Sequence, residues 1–421
     1  MRISAPRSLP SACLLGWLAL TAGRVTAEEL SFANALQQAR IHAPQLQQRQ
    51  AALSGATAAQ RAADALPDPK AFVGIDNLPV DGADRFNLTR DFMTMQKIGV
   101  MQDIPNRAKR TARAEAAQAR IGEAAADLRL TESTVTRETA DAWLNRYFLG
   151  QQRALFTNLE QENRLWAGVV QSQLTAGKGL MADALLPQQE AISLANRRDD
   201  LERDIRKADA VLVRWLGRFG EFTPVGEPPA FTLDPDTLRQ HVEHHPDLNR
   251  FTPLADLAQA ELHEAQAAKK PDWGVELAYQ QRGPGYSNMV SVQVSADLPL
   301  FSRRRQDPLI AARQQTLAAL DAEREDMLRE HVAALETDLA NYAALTRQRD
   351  RLQLEAVPLT QRKADLLLAA YQAGRAELGL VLAARRESQA LRLQVIELTA
   401  QQQRLAARLH YLYTPDSEIA P

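Results

Sequence analysis

Cysteine is nearly absent from this chain. The one cysteine in 421 residues, Cys13, falls inside an N-terminal stretch with the marks of a secretory signal. Arg2 and Arg7 stand at the front, Leu14 to Leu20 form a short apolar core, and Val25-Thr26-Ala27 offers a small-residue cleavage site. Such a segment is too short to span a membrane and is removed on export. The mature chain then starts at Glu28 without any cysteine. That excludes a disulfide framework, a thiolate metal site and a cysteine nucleophile. Cys13 follows no apolar run, which makes it a poor lipid anchor.

Other absences narrow the function. Residues 1–27 hold three arginines and no acid, so 50 basic against 52 acidic residues becomes 47 against 52 in the mature chain. An acidic balance of that kind gives no footing for nucleic acid. No later stretch offers ~18 consecutive apolar residues, so no transmembrane helix is expected. There is no phosphate-binding glycine loop, no nucleophile elbow and no paired carboxylates with a plausible pocket. The sequence therefore predicts no enzyme, cofactor or nucleotide. An exported chain without a spanning helix is left with the periplasm, the exterior, or a barrel in an outer membrane.

What the chain does have is repetition. His42-Ala43-Pro44-Gln45-Leu46 returns as His244-His245-Pro246-Asp247-Leu248. Gln102-Asp103-Ile104-Pro105 returns as Ala296-Asp297-Leu298-Pro299, each followed by basic residues (Arg107, Lys109, Arg110; Arg303, Arg304, Arg305). Leu174-Thr175-Ala176-Gly177-Lys178 returns as Tyr371-Gln372-Ala373-Gly374-Arg375. The matches keep one order at offsets of 202, 194 and 197 residues, which points to an internal duplication.

Each copy has the same organisation. The first, 28–216, opens with short helices over 30–66. A break at Leu66-Pro67-Asp68-Pro69 precedes expected strands at 70–80 and 90–104. A proline-free stretch predicts a helix over 106–174, roughly 100 Å long at the standard rise. Gly177 and Gly179 interrupt it, and a second helix returns over 180–216. A Pro- and Gly-rich linker, 217–235, leads to the second copy, 236–413. That copy predicts helix over 236–268, strands at 271–282 and 287–299, a helix over 308–372, a turn at Gly374 and a returning helix over 377–412. Residues 414–421 form a tail.

Two periodicities coexist. Trp273, Val275, Leu277 and Tyr279, with Val290, Val292, Val294, Ala296 and Leu298, alternate with polar residues. The strand lengths approach the ~9–11 residues that a tilted membrane strand needs. The helices instead repeat in steps of three and four. Val381, Ala384, Ser388, Leu391, Val395, Leu398, Gln402, Leu405, Leu409 and Leu412 face Leu328, Val332, Leu335, Leu339 and Tyr342, which is a coiled-coil seam. Many seam positions are Ala, Ser or Gln, so these helices need neighbours on more than one side. Four membrane strands cannot close a barrel, because the smallest outer-membrane barrels have about eight. Strands of this kind imply an oligomer that shares one barrel, continued by helices around a water-filled lumen.

The signal segment, the duplicated hairpin-in-helix plan, the two Asp-Ile/Leu-Pro strand exits and the two Ala-Gly-Lys/Arg turns resemble the TolC-like outer-membrane efflux proteins. The resemblance covers roughly residues 28–415. It implies a mainly α fold with a membrane β-barrel: four strands per protomer, with a homotrimer forming a twelve-stranded barrel over an α-helical periplasmic tunnel. It also implies outer-membrane lipid around the barrel, a periplasmic adaptor protein and an inner-membrane RND pump. Leu66-Pro67-Asp68-Pro69, Ile75-Asp76-Asn77-Leu78-Pro79 and Phe92-Met93-Thr94-Met95-Gln96-Lys97-Ile98-Gly99 look like the heavy-metal branch, so metal cations are the expected cargo. Drug efflux, type I secretion and a secreted coiled-coil scaffold are the alternatives.

Carried onto this sequence, the resemblance makes Asp183, Tyr371 and the adjacent Arg375 gate candidates. A carboxylate and a phenol on neighbouring helices could bond and hold the tips closed. It also implies that Leu174, Gly177, Leu180, Gly374, Leu378 and Leu380 form the helix-tip turns and the adaptor contact. Leu380, Ala383 and Ala376 stand where some members carry charged gate residues. A glycine after a helix also simply supplies a left-handed turn, and leucines beside it also close the tip's own packing. His241 and His245 have the i, i+4 spacing of a metal pair, but Pro246 argues against one helix through both. Met93, Met95, Met101 and Met289 offer soft thioethers, although strand packing accounts for them. No resident metal is therefore expected.

Overall fold

The computed structural model describes residues 28–177, 180–218 and 220–414. The expected signal segment 1–27, Lys178 and Gly179 at the first tip, and all but the first residue of the expected tail lie outside the described residues. In chain order, β1 (Glu28–Ser31), α1 (Phe32–His42) and α2 (Pro44–Gln60) precede a hairpin of β2 (Lys70–Asp76) and β3 (Met95–Ile104). The long helices α3 (Arg107–Thr175) and α4 (Leu185–Leu216) follow. The second half runs through β4 (Phe222–Val225), α5 (Pro235–His241), α6 (Pro246–Asn249), α7 (Phe251–Ala267), β5 (Trp273–Gln281) and β6 (Met289–Ala296). It ends with α8 (Ser302–Arg351), α9 (Val357–Gln372) and α10 (Leu378–Tyr413).

The repeated His-X-Pro motif marks the same break twice. Ala43 (φ −65°, ψ 115°) and His245 (φ −54°, ψ 135°) both leave the helical region, and Pro44 and Pro246 each start a new helix. The ring of a proline disfavours the α region for the residue before it and is tolerated in a first turn. Neither 30–66 nor 236–268 is therefore one helix. The second stretch also contains a 3-10 turn at Val242–His244.

Four strands form one antiparallel sheet in the order β2-β3-β5-β6. Register puts Val73, Ile98, Tyr279 and Val290 in one row and Ala71, Val100, Leu277 and Val292 in the next. This face is apolar yet open: Val73 is 79% exposed and Val292 69%. On the other face Lys97 pairs with Glu276 at 2.7 Å, and Lys70 with Asp103 at 2.8 Å. Met95, Met101 and Met289 alternate onto that polar side, while Met93 sits in the loop before β3. All four strands are shorter than expected, β5 and β6 at both ends; β2 stops at Asp76 because Asn77 takes a positive φ (55°) and the chain turns away.

At the junction of sheet and helices, Asn106 caps α3 by accepting the Lys109 N–H at 3.0 Å. Its amide donates to Asp272 Oδ1 at 2.9 Å, and Lys109 Nζ reaches Asp272 Oδ2 at 2.9 Å. This knot joins the two copies, so part of the basic cluster is committed to structure. Arg110 is also committed, donating to the Asp64 carbonyl at 2.8 Å.

The expected linker 217–235 is not plain connection. Its β4 pairs in parallel with β1, with Phe222 opposite Glu28. This pairing covers the main core, built from Leu30, Trp143, Leu144, Phe148, Leu212, Leu216, Phe222 and Tyr411. Trp143 is fully buried and donates from Nε1 to the Leu30 carbonyl at 2.8 Å. That bond satisfies the indole in an apolar site. Arg146 and Asp209 pair beside this core at 2.7 Å. Burial still pushes the Asp209 carboxyl up despite the guanidinium.

The coiled-coil seam forms largely as the period predicts. Leu335, Leu339 and Leu409 are buried together, and Gln402 is buried between the Arg349 guanidinium (2.5 Å) and the Thr346 hydroxyl (3.0 Å). Val332 departs from the seam and is 43% exposed. The helix expected over 308–372 starts earlier, at Ser302, because Pro308 is accommodated near its beginning. It is also divided by a π-helical segment at Leu352–Ala356, next to Pro358 at the start of α9. The missing proline N–H accounts for the irregular turn.

Two outcomes follow from this packing. A Cβ on Gly99 would stand 2.4 Å from Phe72 Cζ and 2.6 Å from the Leu277 carbonyl. Gly99→Val is therefore expected to disrupt pairing of β2, β3 and β5, seen as loss of strand signal in circular dichroism of the purified protein. Arg146→Ala leaves the partly buried Asp209 carboxylate unpaired, a change that costs less than the about 3–5 kcal/mol of breaking a fully buried pair. It should lower the thermal unfolding midpoint in detergent clearly below that of the parent chain.

Candidate functional site

The helix tips opposite the sheet carry the gate candidates. Both turns are built the same way. Gly177 (φ +69°) ends α3 and Gly374 (φ +71°) ends α9. At the second tip the Arg375 N–H donates to the Ala370 carbonyl at 2.8 Å and the Gly374 N–H to the Tyr371 carbonyl at 2.9 Å. Such closure needs a residue in the left-handed region, which glycine adopts without strain.

The two tips restart their helices differently. Leu180 to Ala184 enter α4 through a 3-10 turn, Met181–Ala184. Asp183 Oδ2 accepts the Leu180 N–H at 3.1 Å, and the Asp183 N–H donates to the Leu180 carbonyl at 2.9 Å. The carboxylate thus supplies the side-chain half of a cap, and the second bond is the 3-10 turn's own backbone bond. At the second tip α10 begins directly at Leu378, with Glu377 in the cap position and no side-chain bond.

The expected bond between Asp183 and Tyr371 is not formed, because the carboxylate is engaged in that cap. Tyr371 instead donates to Gln173 Oε1 on α3 at 2.5 Å. Burial, followed by the Asp183 carboxylate, pushes the Tyr371 phenol up, against the effect of its bond to Gln173. The hydroxyl thus keeps its proton through the neutral range and remains a donor across the tips. Gln173 was not a sequence candidate. Its counterpart in the second copy is Ala370, so the repeat marks it only as a position of difference. Arg375 is exposed at the turn.

The leucines divide. Leu180 (70% exposed) and Leu380 (53%) stand open at the tips, together with Met181 and Leu185. Leu174 is half-buried. Leu378 is 4% exposed and fills its own tip, so it does not offer a surface to a partner.

A second contact inward of the tips went unnoticed in the sequence. Arg385 lies 4.8 Å over the Trp166 ring and 3.5 Å from Glu162, and Arg386 is 3.6 Å from Glu190. These arginines fasten α10 to α3 and α4. The signal was Arg385-Arg386 next to an apolar seam, which reads equally well as a solvated helix face.

The histidine pair does not form as spaced. His241 ends α5, and the 3-10 turn after it rotates the chain. His241 then meets His244 edge-on at 6.0 Å between ring centroids, while His245 stacks on His331 at 3.7 Å.

No family model and no curated protein matches the chain. Solved structures do. CusC, described in a study of folding and transmembrane channel formation, is 15% identical, with a TM-score of 0.71 over 90% of this chain and 91% of that one. The outer membrane protein VceC from Vibrio cholerae is 17% identical, with a TM-score of 0.73 over 90% of this chain and 95% of that one. The open state of the Neisseria gonorrhoeae MtrE outer membrane channel is 14% identical, with a TM-score of 0.71 over 90% and 88%. The chain has the fold of TolC-type outer-membrane channels. The shared architecture accounts for the open sheet, which such a fold closes only between chains.

If the tip contact holds a lumen shut, Tyr371→Phe removes one bond of about 0.5–1.5 kcal/mol per chain. Single-channel conductance in planar bilayers is expected to rise, and Gln173→Ala should reproduce the rise. Conductance unchanged in both variants would remove the tip contact from gating.

Proposed function

We propose that this protein is the outer-membrane exit channel of a tripartite efflux system. In this reading three copies share one twelve-stranded barrel, and their helices enclose a periplasmic tunnel. A periplasmic adaptor and an inner-membrane RND pump engage the tips, and cargo passes without chemistry or cofactor.

One observation carries the reading. The four-stranded sheet leaves an apolar face open and both edges, β2 and β6, without partners among the described residues. In water that face would be an aggregation hazard, and in lipid the free edges would cost several kcal/mol per unsatisfied group. Closure between copies removes both penalties. The ion pairs Lys97–Glu276 and Lys70–Asp103 then fall on the inner, wet side. A secreted coiled-coil scaffold without a barrel gives no reason for the apolar rows.

The finer reading assigns heavy-metal cations as cargo. Its support is the resemblance of the segments at 66–69, 75–79 and 92–99. The pump, which selects cargo, lies outside this chain, so drug efflux or type I secretion would use the same duct. The gate is assigned to Tyr371, with Asp183 shaping its tip and Arg375 at the turn. Leu180 and Leu380 are the apolar residues that an adaptor would meet.

The purified protein is expected to run as a heat-modifiable trimer and to give discrete single-channel steps in bilayers. Absence of both defeats the channel reading. A deletion strain should become sensitive to one or more of copper, silver, zinc, cobalt and cadmium. Unchanged sensitivity to all five removes the metal cargo and leaves the channel standing.

A further inference from the structure

The rearrangement that separates His241 from His245 creates a different cluster. His245 lies in the break between the 3-10 turn and α6, Asp247 stands in the first turn of α6, and His331 projects from the middle of α8. One ligand atom from each lies within 4.8 Å of the others. Asp247 Oδ2 stands 3.6 Å from His245 Nδ1 and 3.5 Å from His331 Nε2.

These distances are too long for hydrogen bonds, which run to about 3.2 Å. The two carboxylate–imidazole distances are those of ligands that share an ion, whereas the His245 and His331 rings, stacked at 3.7 Å, must part somewhat for both nitrogens to reach it. Ligands held about 2.0–2.2 Å from a tetrahedral zinc stand about 3.3–3.5 Å from one another. His331 Nε2 is buried and has no hydrogen-bond partner, an unfavourable state that an ion would relieve. The one bond His245 Nδ1 makes, from the Asp247 N–H at 3.2 Å, is long and can give way to a metal. Access is available from one side. His245 is enclosed, with 4% of its side chain exposed, whereas Asp247 is 34% exposed. Arg137 on α3 faces His245, but its charge is partnered by Glu138 at 3.0 Å.

We propose that His245, Asp247 and His331 form a structural site for a divalent transition metal of tetrahedral preference, zinc by chemistry, with water as fourth ligand. The ion fastens the entry segment of the second copy to α8. It also bears on the end of α10, because the Tyr413 ring lies 5.5 Å from His245. This site is part of the scaffold, and it does not depend on which cargo the channel carries.

The test uses the full mature chain, free of any histidine tag, stripped with chelator and titrated with Zn2+ alone. One Zn2+ per chain is expected, with a raised thermal midpoint. Co2+ in its place should give the intense visible absorption of a tetrahedral site. Asp247→Asn and His331→Gln should each weaken Zn2+ binding at least about tenfold. His263→Gln should bind as the parent does, since His263 is committed to Glu115 at 3.1 Å elsewhere. Parent chain that takes up no stoichiometric Zn2+, or folded Asp247 and His331 variants that bind as tightly as the parent, would overturn the site. The Co2+ spectrum of the parent decides the case even where a variant fails to fold, because an octahedral spectrum also overturns it.

Discussion

The structure depends on a sheet that cannot be finished by one chain. β2 and β6 leave a row of backbone donors and acceptors at each side, and the rows of Val, Ile and Leu between them face outward. Every other oddity follows from the same incompleteness. Helix α8 runs for 50 residues with Leu335 and Leu339 as its only buried residues. Such a helix is polar nearly all round and gains little from its own chain. Sheet and helices thus ask for neighbours in the same direction, around a common axis.

Between these two unfinished ends lies the largest core among the described residues. Phe32 packs edge-on against Trp143 at 5.3 Å, Trp143 stacks on Tyr147 at 5.3 Å, and the β1–β4 pair seals them. Residues from α1, α3, α4 and α10 meet there. On the channel reading, this middle is the part whose packing does not depend on other copies. The proposed metal site lies in the same zone, where the second copy's broken helices need fixing most.

What the sequence made legible follows from signal strength. Alternation over β5 and β6, and the proline-free run behind α3, each depend on many residues at once and survive local exceptions. The duplicated motifs were equally plain, and the backbone at Ala43 and His245 gives their physical reason. The short pair β1 and β4 was hidden, because four residues carry no period and Phe222 to Val225 sit among prolines and glycines. Contacts between distant residues were hidden as well. Nothing local marks Gln173 as the partner of Tyr371, and nothing marks His331 as the partner of His245. The spacing of His241 and His245 actively misled, since helical spacing has meaning only where the helix continues.

The tips show where duplication ends and specialisation begins. Asp183 against Leu380 looks at first like the decisive mismatch, but it records how each returning helix starts: one through a capped 3-10 turn, the other directly. The contact that crosses between the tips arises instead at Leu174 against Tyr371, positions equivalent in the repeat. There one copy supplies a half-buried leucine and the other a phenol that reaches Gln173. On the channel reading this matters energetically. A single hydrogen bond contributes about 0.5–1.5 kcal/mol, whereas couplings between binding sites typically amount to about 1–3 kcal/mol. A tip held by one such bond per chain, with Leu180 and Leu380 exposed beside it, is within reach of a partner that binds the open form better. The arginines inward of the tips, fixed to Trp166, Glu162 and Glu190, would stay in place while the ends part.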